Sequence, residues 1–259
     1  MRLREFIEKL EGRGELLRIT APVSTRFEIT EITDRISKME GGGKAILFEN
    51  TGTPYPVLMN SMGSDRRMAM ALGVEDLEDI SRRIDNLLKG VMSPKDSFVD
   101  KLRMLPLLAD VAKWFPRKSS GRGECQEVVW RGKDADLSRL PILTSWAADG
   151  GPFITLPMVC TKDPETGIPN MGMYRMQIID KQTTGMHWHK NKTGEHHYEA
   201  YKRLGQKMPV SVALGGDPAN IFSATAPLPE NIDEQMLTGF LRKKSVDLVK
   251  CITNDLEVP

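Results

Sequence analysis

A polar, glycine-bearing run without apolar periodicity, Arg117-Lys118-Ser119-Ser120-Gly121-Arg122-Gly123, divides the 259-residue chain into two stretches that obey different spacing rules. Before it, helical spacing recurs. Leu3, Phe6, Ile7 and Leu10 sit at i, i+3, i+4 and i+7, with Gly12 and Gly14 as stop signals. Ile29, Ile32, Ile36 and Met39 repeat the pattern up to Gly41-Gly42-Gly43, and Leu77, Ile80, Ile84 and Leu87 mark a longer helix. Between them, Ala45 to Phe48 and Val57 to Met59 read as two strands around a turn bearing Gly52 and Pro54. After the polar run, strand-like segments dominate: Glu127 to Trp130, Phe153 to Cys160, Met173 to Ile179, Val210 to Leu214 and Val246 to Ile252. The expected class is α+β, with an α/β domain over residues 1–116, a linker at 117–124, and a partly closed β-barrel over 125–259.

Composition removes several function classes. With 36 basic and 35 acidic residues the net charge is +1, which gives no electrostatic footprint for nucleic acid or an anionic membrane. No stretch reaches the roughly 20 apolar residues of a spanning helix, and no leader is legible, so a cytoplasmic protein is expected. Cys125, Cys160 and Cys251 are an odd number without a Cys-x-x-Cys pair, and are read as buried thiols of a reduced compartment.

All four histidines fall between positions 187 and 197, just after Asn170-Met171-Gly172-Met173-Tyr174-Arg175-Met176-Gln177. Imidazole ligates metals, exchanges protons near neutral pH and stacks on rings, so this concentration points to a site. Arg175 adds a planar, permanently charged fork for carboxylate or phosphate. Strand alternation would set Met173, Arg175 and Gln177 on one face, and His187 and His189 on one face with Trp188 on the other. His196 and His197 are read as solvated residues leading into the helix Tyr198-Glu199-Ala200-Tyr201. Asp217-Pro218 has the form of a helix N-cap with proline at the first position. Leu228-Pro229-Glu230-Asn231-Ile232-Asp233-Glu234 opens another helix, whose acidic residues complement its dipole.

The Leu3-Arg4-Glu5-Phe6 start, the run 170–177, Thr184-Gly185-Met186-His187-Trp188, Pro209-Val210-Ser211-Val212-Ala213-Leu214-Gly215 and the closing Val249 to Pro259 segment together resemble the UbiD-type decarboxylases, in particular the 3-polyprenyl-4-hydroxybenzoate carboxy-lyases of quinone biosynthesis. The resemblance implies a flavin-holding split β-barrel and prenylated FMN, which provides a sink for the electrons left by CO₂ loss. It implies that Met173, Tyr174, Arg175, Trp188 and His189 contact the cofactor and that Arg175 also touches the carboxylate of an aromatic acid. Asn170, Glu234 and His187 would hold Mn²⁺ or Mg²⁺ on the cofactor phosphate, with His187 open between metal and phosphate. Peripheral membrane contact through a prenylated substrate and a homo-oligomer at full length follow from the same resemblance. Family chains continue into a Glu-Gly-Pro-x-Gly-Asp-like segment whose acidic residues transfer the proton. The chain is therefore expected to be an inactive fragment with a truncated barrel, its proton donor elsewhere, and Glu257 at most a neighbour of the site. Two other readings stay open: a non-catalytic flavin- or nucleotide-binding module, and a metal-dependent hydrolase using His187 and His189.

Overall fold

The computed structural model describes residues 1–92, 105–228 and 232–259. The expected role of Glu230 lies outside the described residues. Helices α1 (Leu3–Gly12), α2 (Glu28–Ser37), α3 (Asp65–Leu72), α4 (Glu78–Met92) and α5 (Leu105–Ala112) belong to the first stretch, with strands β1 (Leu16–Pro22), β2 (Ala45–Asn50) and β3 (Val57–Met59). The second contains β4 (Arg117–Lys118), β5 (Phe153–Ile154), β6 (Met158–Lys162), β7 (Pro169–Met173), β8 (Met176–Ile178), β9 (Thr184–Met186), α6 (Thr193–Arg203), β10 (Ser211–Ala213), α7 (Pro218–Ser223), α8 (Glu234–Arg242), β11 (Asp247–Lys250) and β12 (Glu257–Val258). The chain is α+β. Its described strands form four three-stranded sheets, ordered β1-β2-β3, β10-β6-β7, β12-β11-β4 and β5-β8-β9, and none of these sheets closes into a barrel.

The first sheet is built around β2, whose first four residues are all buried, as a central strand demands. β1 pairs with it in parallel and β3 antiparallel. The apolar stripe of α1 enters the core through Phe6 and Leu10, both fully buried beside Ala45, Met70 and Ala71, and each such side chain contributes roughly 1.5–3 kcal/mol. Arg67 of α3 is also fully buried. Its guanidinium donates to the carbonyls of Asn60, Gly42 and Gly43 and pairs with Glu15, so its charge is matched on all sides.

The two stretches share a core. Ala69, Leu72 and Val74 pack with Ala219 of α7 and Leu241 of α8. Arg242 bridges the same junction, donating to the Ala71 carbonyl at 2.7 Å while pairing with Asp217. The polar run at 117–123 is also engaged: Arg117 and Lys118 pair in parallel with Asp247 and Leu248 of β11.

Several expectations are corrected. Glu127 to Trp130 forms no strand: a short 3₁₀ turn at Glu124–Gln126 leads into an irregular, exposed segment, where Trp130 lies under the Arg139 guanidinium instead of joining a sheet. Phe153 to Cys160 is two strands, because Pro157 lacks the N–H a ladder requires. Met173 to Ile179 breaks at Tyr174-Arg175. Cys125 is exposed and Cys251 only partly buried, leaving Cys160 as the buried thiol, pushed up to about 12 mainly by burial. The helix expected from Tyr198 begins at Thr193. That shift puts His197 on its inner face, buried rather than solvated.

Candidate active site

The two broken strands face each other. β5 pairs with β8 through Ile154 and Met176, and β6 pairs with β7 through Met158 and Met173. Three residues, Thr155, Leu156 and Pro157, therefore oppose two, Tyr174 and Arg175. This is the two-against-one mismatch of a β-bulge enlarged by one on each side, and it re-aims side chains at the point where the ribbon crosses between sheets. Met173 is the last residue of the β6–β7 ladder, and its N–H points away from β6 to the Ala224 carbonyl at 3.0 Å.

At this crossing lies a cavity of about 610 Å³. Asn170, Met173, Tyr174, Arg175, His187, His189 and Glu234 all line it, brought from β7, the bulge, the segment after β9 and the first turn of α8. Trp188 is not among the lining residues. It packs behind them, edge-on to Tyr174 with centroids 4.9 Å apart and stacked toward Tyr198 at 6.4 Å. His187 and His189 lie outside β9 yet still share a side, with rings perpendicular and 4.9 Å apart.

Sequence reasoning missed the floor and the rim. Thr155 lies opposite the bulge, Asn191 and Lys192 come from the turn just before α6, and Thr193 and His196 from its first turn. The signal was the Lys-Thr-Gly-Glu start of that helix, masked by the later Tyr198 assignment. Two glycines allow the close packing. A Cβ on Gly172 would lie 2.4 Å from Tyr174 Cε2, and one on Gly194 would lie 2.7 Å from Trp188 Cζ3 and 2.8 Å from the Tyr174 ring. Gly194 N–H donates to Tyr174 Oη at 2.9 Å, which ties α6 to the bulge.

The charge balance of the lining is positive. Arg175 and Lys192 are cationic, three histidines stand beside them, and Glu234 is the one acidic lining residue. Arg175 makes no hydrogen bond or ion pair among the described residues; its guanidinium carbon lies 4.6 Å from the centroid of the Phe153 ring, a cation–π contact that leaves the N–H fork available. Glu234 is half-buried, and its Oε2 accepts the Met171 N–H at 2.9 Å. Burial raises its carboxyl above the usual range, with the Met171 hydrogen bond opposing. Burial likewise raises the Tyr174 phenol. Among the described residues no three His, Cys, Asp or Glu side chains gather into a metal cluster.

Fold and cavity define an α+β protein with a pocket that gathers Arg175, Lys192, three histidines and Glu234. The chain belongs to the UbiD family: residues 117–259 match the 3-octaprenyl-4-hydroxybenzoate carboxy-lyase Rift-related domain, and residues 7–85 match the N-terminal domain of the same enzymes. An uncharacterised Aquifex aeolicus protein is 48% identical over 258 residues, covering 99% of this chain and 52% of the relative. The chain thus spans about half the length of the curated relatives it matches. Among solved structures, the UbiD-class enzyme HmfF from Pelotomaculum thermopropionicum in complex with FMN is 27% identical with a TM-score of 0.78, covering 99% of this chain and 52% of that one. The closed form of vanillic acid decarboxylase from Sedimentibacter hydroxybenzoicus is 26% identical with a TM-score of 0.82, covering 100% and 52%. An evolved dimeric HmfF was solved with prFMN. Among the described residues no helix is long and apolar enough to cross a membrane.

Proposed function

We propose that this chain forms the cofactor-holding part of a decarboxylase that removes CO₂ from an aromatic acid with prenylated FMN, the physiological substrate being a 3-polyprenyl-4-hydroxybenzoate on the way to a quinone. The observation that carries the reading is Arg175: an arginine held over Phe153, without an anionic partner among the described residues, at a cavity where Lys192 adds a second cation against the single carboxylate of Glu234. Such a fork takes a carboxylate in a fixed orientation. The FMN and prFMN complexes of HmfF support the cofactor, and the octaprenyl-hydroxybenzoate description of the matching domains supports the substrate class.

The donor set fits a divalent cation. Asn170 and Glu234 offer oxygen and His187 nitrogen, a mixture suited to Mg²⁺ or Mn²⁺ on a phosphate rather than to structural zinc. Glu234 is a half-buried carboxylate with no cation partner among the described residues, and a metal would supply one. When bound, prenylated FMN supplies the electron sink for decarboxylation. The chain's own residues then have separable tasks: Arg175 orients the carboxylate, Met173 and Tyr174 form the wall, His189 and Lys192 draw in negative charge, and Trp188 holds Tyr174 from behind. In the whole protein residues 125–259 form part of a split barrel that they do not complete by themselves, the proton that replaces CO₂ comes from an acid outside these residues, and residues 1–259 alone release no CO₂. The enzyme works in the cytoplasm as a homo-oligomer and meets the membrane surface through the tail of its substrate.

The test is to coexpress the full-length protein with a prenyl-flavin synthase, record its absorbance, and measure CO₂ release from aromatic acids. A bound flavin chromophore with turnover is expected. A colourless, inactive protein would leave the cavity without its proposed cofactor and sink the reading.

A further inference from the structure

Behind the cavity wall lies a buried polar chain with no counterpart in the expected site. Thr161 on β6, Asn170 on β7 and His197 on α6 are 1%, 5% and 4% exposed. Thr161 Oγ1 lies 2.9 Å from His197 Nδ1, and Asn170 Nδ2 donates to the same Oγ1 at 3.5 Å. Two of the three have no access to the cavity. The third, Asn170, lines it.

We infer that His197 is a positioning residue: acting through Thr161, it holds the Asn170 carboxamide in place at the cavity. This rests on the reading of Asn170 as a ligand through its amide oxygen. The argument is a count of donors and acceptors. A hydroxyl has one proton to give and lone pairs to receive others. Thr161 Oγ1 receives the Asn170 Nδ2–H, and its bond to His197 Nδ1 forms with either tautomer of the ring, the hydroxyl donating to one and accepting from the other. Without the imidazole the buried Thr161 hydroxyl is one partner short, a cost of roughly 1–3 kcal/mol, and its side chain is free to turn away from Asn170. The network therefore fixes the Asn170 carboxamide with Nδ2 against Thr161, and a ligand that acts through its Oδ1 needs that carboxamide held still.

The placement of His197 has a second consequence. It lies one turn after Gly194, whose N–H is held by Tyr174 Oη at 2.9 Å. The first turns of α6 are thus pinned at two points to the layer that carries Asn170 and Tyr174, and the intervening His196, with Lys192 and Thr193, is left on the cavity side. Partners that orient ligating side chains typically change affinity by about 10–100-fold when removed.

The experiment measures FMN affinity, in the full-length protein with Mn²⁺ present, by quenching of flavin fluorescence, for wild type, His197→Ala, His197→Asn, Thr161→Val, Asn170→Ala and the His197→Ala/Asn170→Ala double variant. His197→Ala and Thr161→Val are each expected to weaken binding about tenfold or more. His197→Asn places an acceptor oxygen where Nδ1 stood and is expected to restore affinity to within about threefold of wild type. A residue acting only through Asn170 adds no further loss once Asn170 is gone, so the double variant should match Asn170→Ala alone. A purely structural histidine would give additive losses and no rescue by asparagine, and either result overturns the inference. If His197→Ala does not fold, the near-isosteric Thr161→Val decides alone: wild-type affinity in that variant overturns it. Failure of the wild-type protein to bind FMN would sink the functional reading itself, whereas wild-type binding with unaffected His197 and Thr161 variants would sink only the positioning role.

Discussion

Arg175 and Phe153 are held together across the bulge, the guanidinium carbon 4.6 Å from the ring centroid, with no carboxylate of the described residues competing for the cation. The ring fixes where the charge stands without consuming its donors. Replacing Arg175 by alanine is expected to weaken binding of an aromatic acid and its decarboxylation by the full-length enzyme by roughly ten- to a hundredfold, the equivalent of about 1.5–3 kcal/mol for a hydrogen bond to a charged group. Phe153→Leu should retain binding of the acid but with a smaller loss, because the charge remains and only its platform goes. Equal activity of Arg175→Ala and wild type, measured as CO₂ release, would remove Arg175 from the mechanism.

Glu234 combines burial with the absence of a cation partner among the described residues, and its carboxyl is raised by that burial. The sign follows from linkage: an acid whose folded pKa lies above its unfolded value favours the fold below that unfolded value, and the advantage is lost as pH rises through the folded one. Glu234→Gln keeps an oxygen for the Met171 N–H and removes the charge. It is expected to raise the stability of the cofactor-free protein at neutral pH, by an amount on the order of 1 kcal/mol, and to match wild type at pH below the ordinary glutamate value. Adding Mn²⁺ should reverse the order by stabilising wild type alone, and EDTA should restore it. Thermal denaturation at two pH values, with and without metal, checks all four states; a variant stabilised equally by Mn²⁺ would rule out Glu234 as a ligand.

Much of the site was legible because its residues cluster in sequence. Asn170 to Arg175 and His187 to His189 are short, continuous stretches that hold six of the expected lining residues, and the family resemblance added Glu234 from a distant helix start. What was not legible depended on partners distant in sequence. The break at Tyr174-Arg175 faces the break at Thr155 to Pro157 in the opposing segment, and a reading of either segment alone treats it as an uninterrupted run. His197 looked solvated because its neighbour His196 is; only the start of α6 at Thr193 turns one inward and leaves the other out. In the first stretch β1 went unread because its six residues before Pro22 mix charged and apolar side chains, and its place is fixed by parallel pairing with the apolar β2. The α+β class survived these errors, since it depends on the kinds of element present and not on their ends.

Asp217 joins the two halves of the chain through three donors. Met1 α-ammonium lies 2.9 Å from its Oδ2, Arg242 Nε donates at 2.8 Å, and Ala219 N–H is capped at 2.9 Å. Burial alone would raise this carboxyl, but Arg242, the α-ammonium and the Ala219 N–H outweigh it and hold it below the usual aspartate range. Such a group contributes stability above its unfolded pKa and loses it as pH falls through the lower folded value. Asp217→Asn is therefore expected to cost about 1.5–3 kcal/mol at neutral pH, with the difference from wild type shrinking in acid below the ordinary aspartate range. Urea unfolding at neutral and acidic pH measures it. A constant difference at both would show that the loss is one of packing, not of charge.

Gly194 tests whether the tie between α6 and the bulge matters for the site. The methyl of Gly194→Ala would meet Trp188 Cζ3 at 2.7 Å and the Tyr174 ring at 2.8 Å, distances that rigid aromatic rings cannot absorb without moving. Overpacking of this kind costs about 1–3 kcal/mol, offset in small part by the better helix propensity of alanine. The displaced groups are Tyr174, which lines the cavity, and Trp188, which braces it, so the damage should be larger in ligand binding than in global stability. The expected outcome is a fall in melting temperature of several degrees, together with a loss of flavin affinity greater than that of Gly205→Ala, whose added methyl meets no atom within 4 Å and whose strain is confined to its own positive φ. Flavin titration of the two variants, each compared with its melting curve, separates the effects: matching affinities would show that Tyr174 and Trp188 can shift without disturbing the pocket.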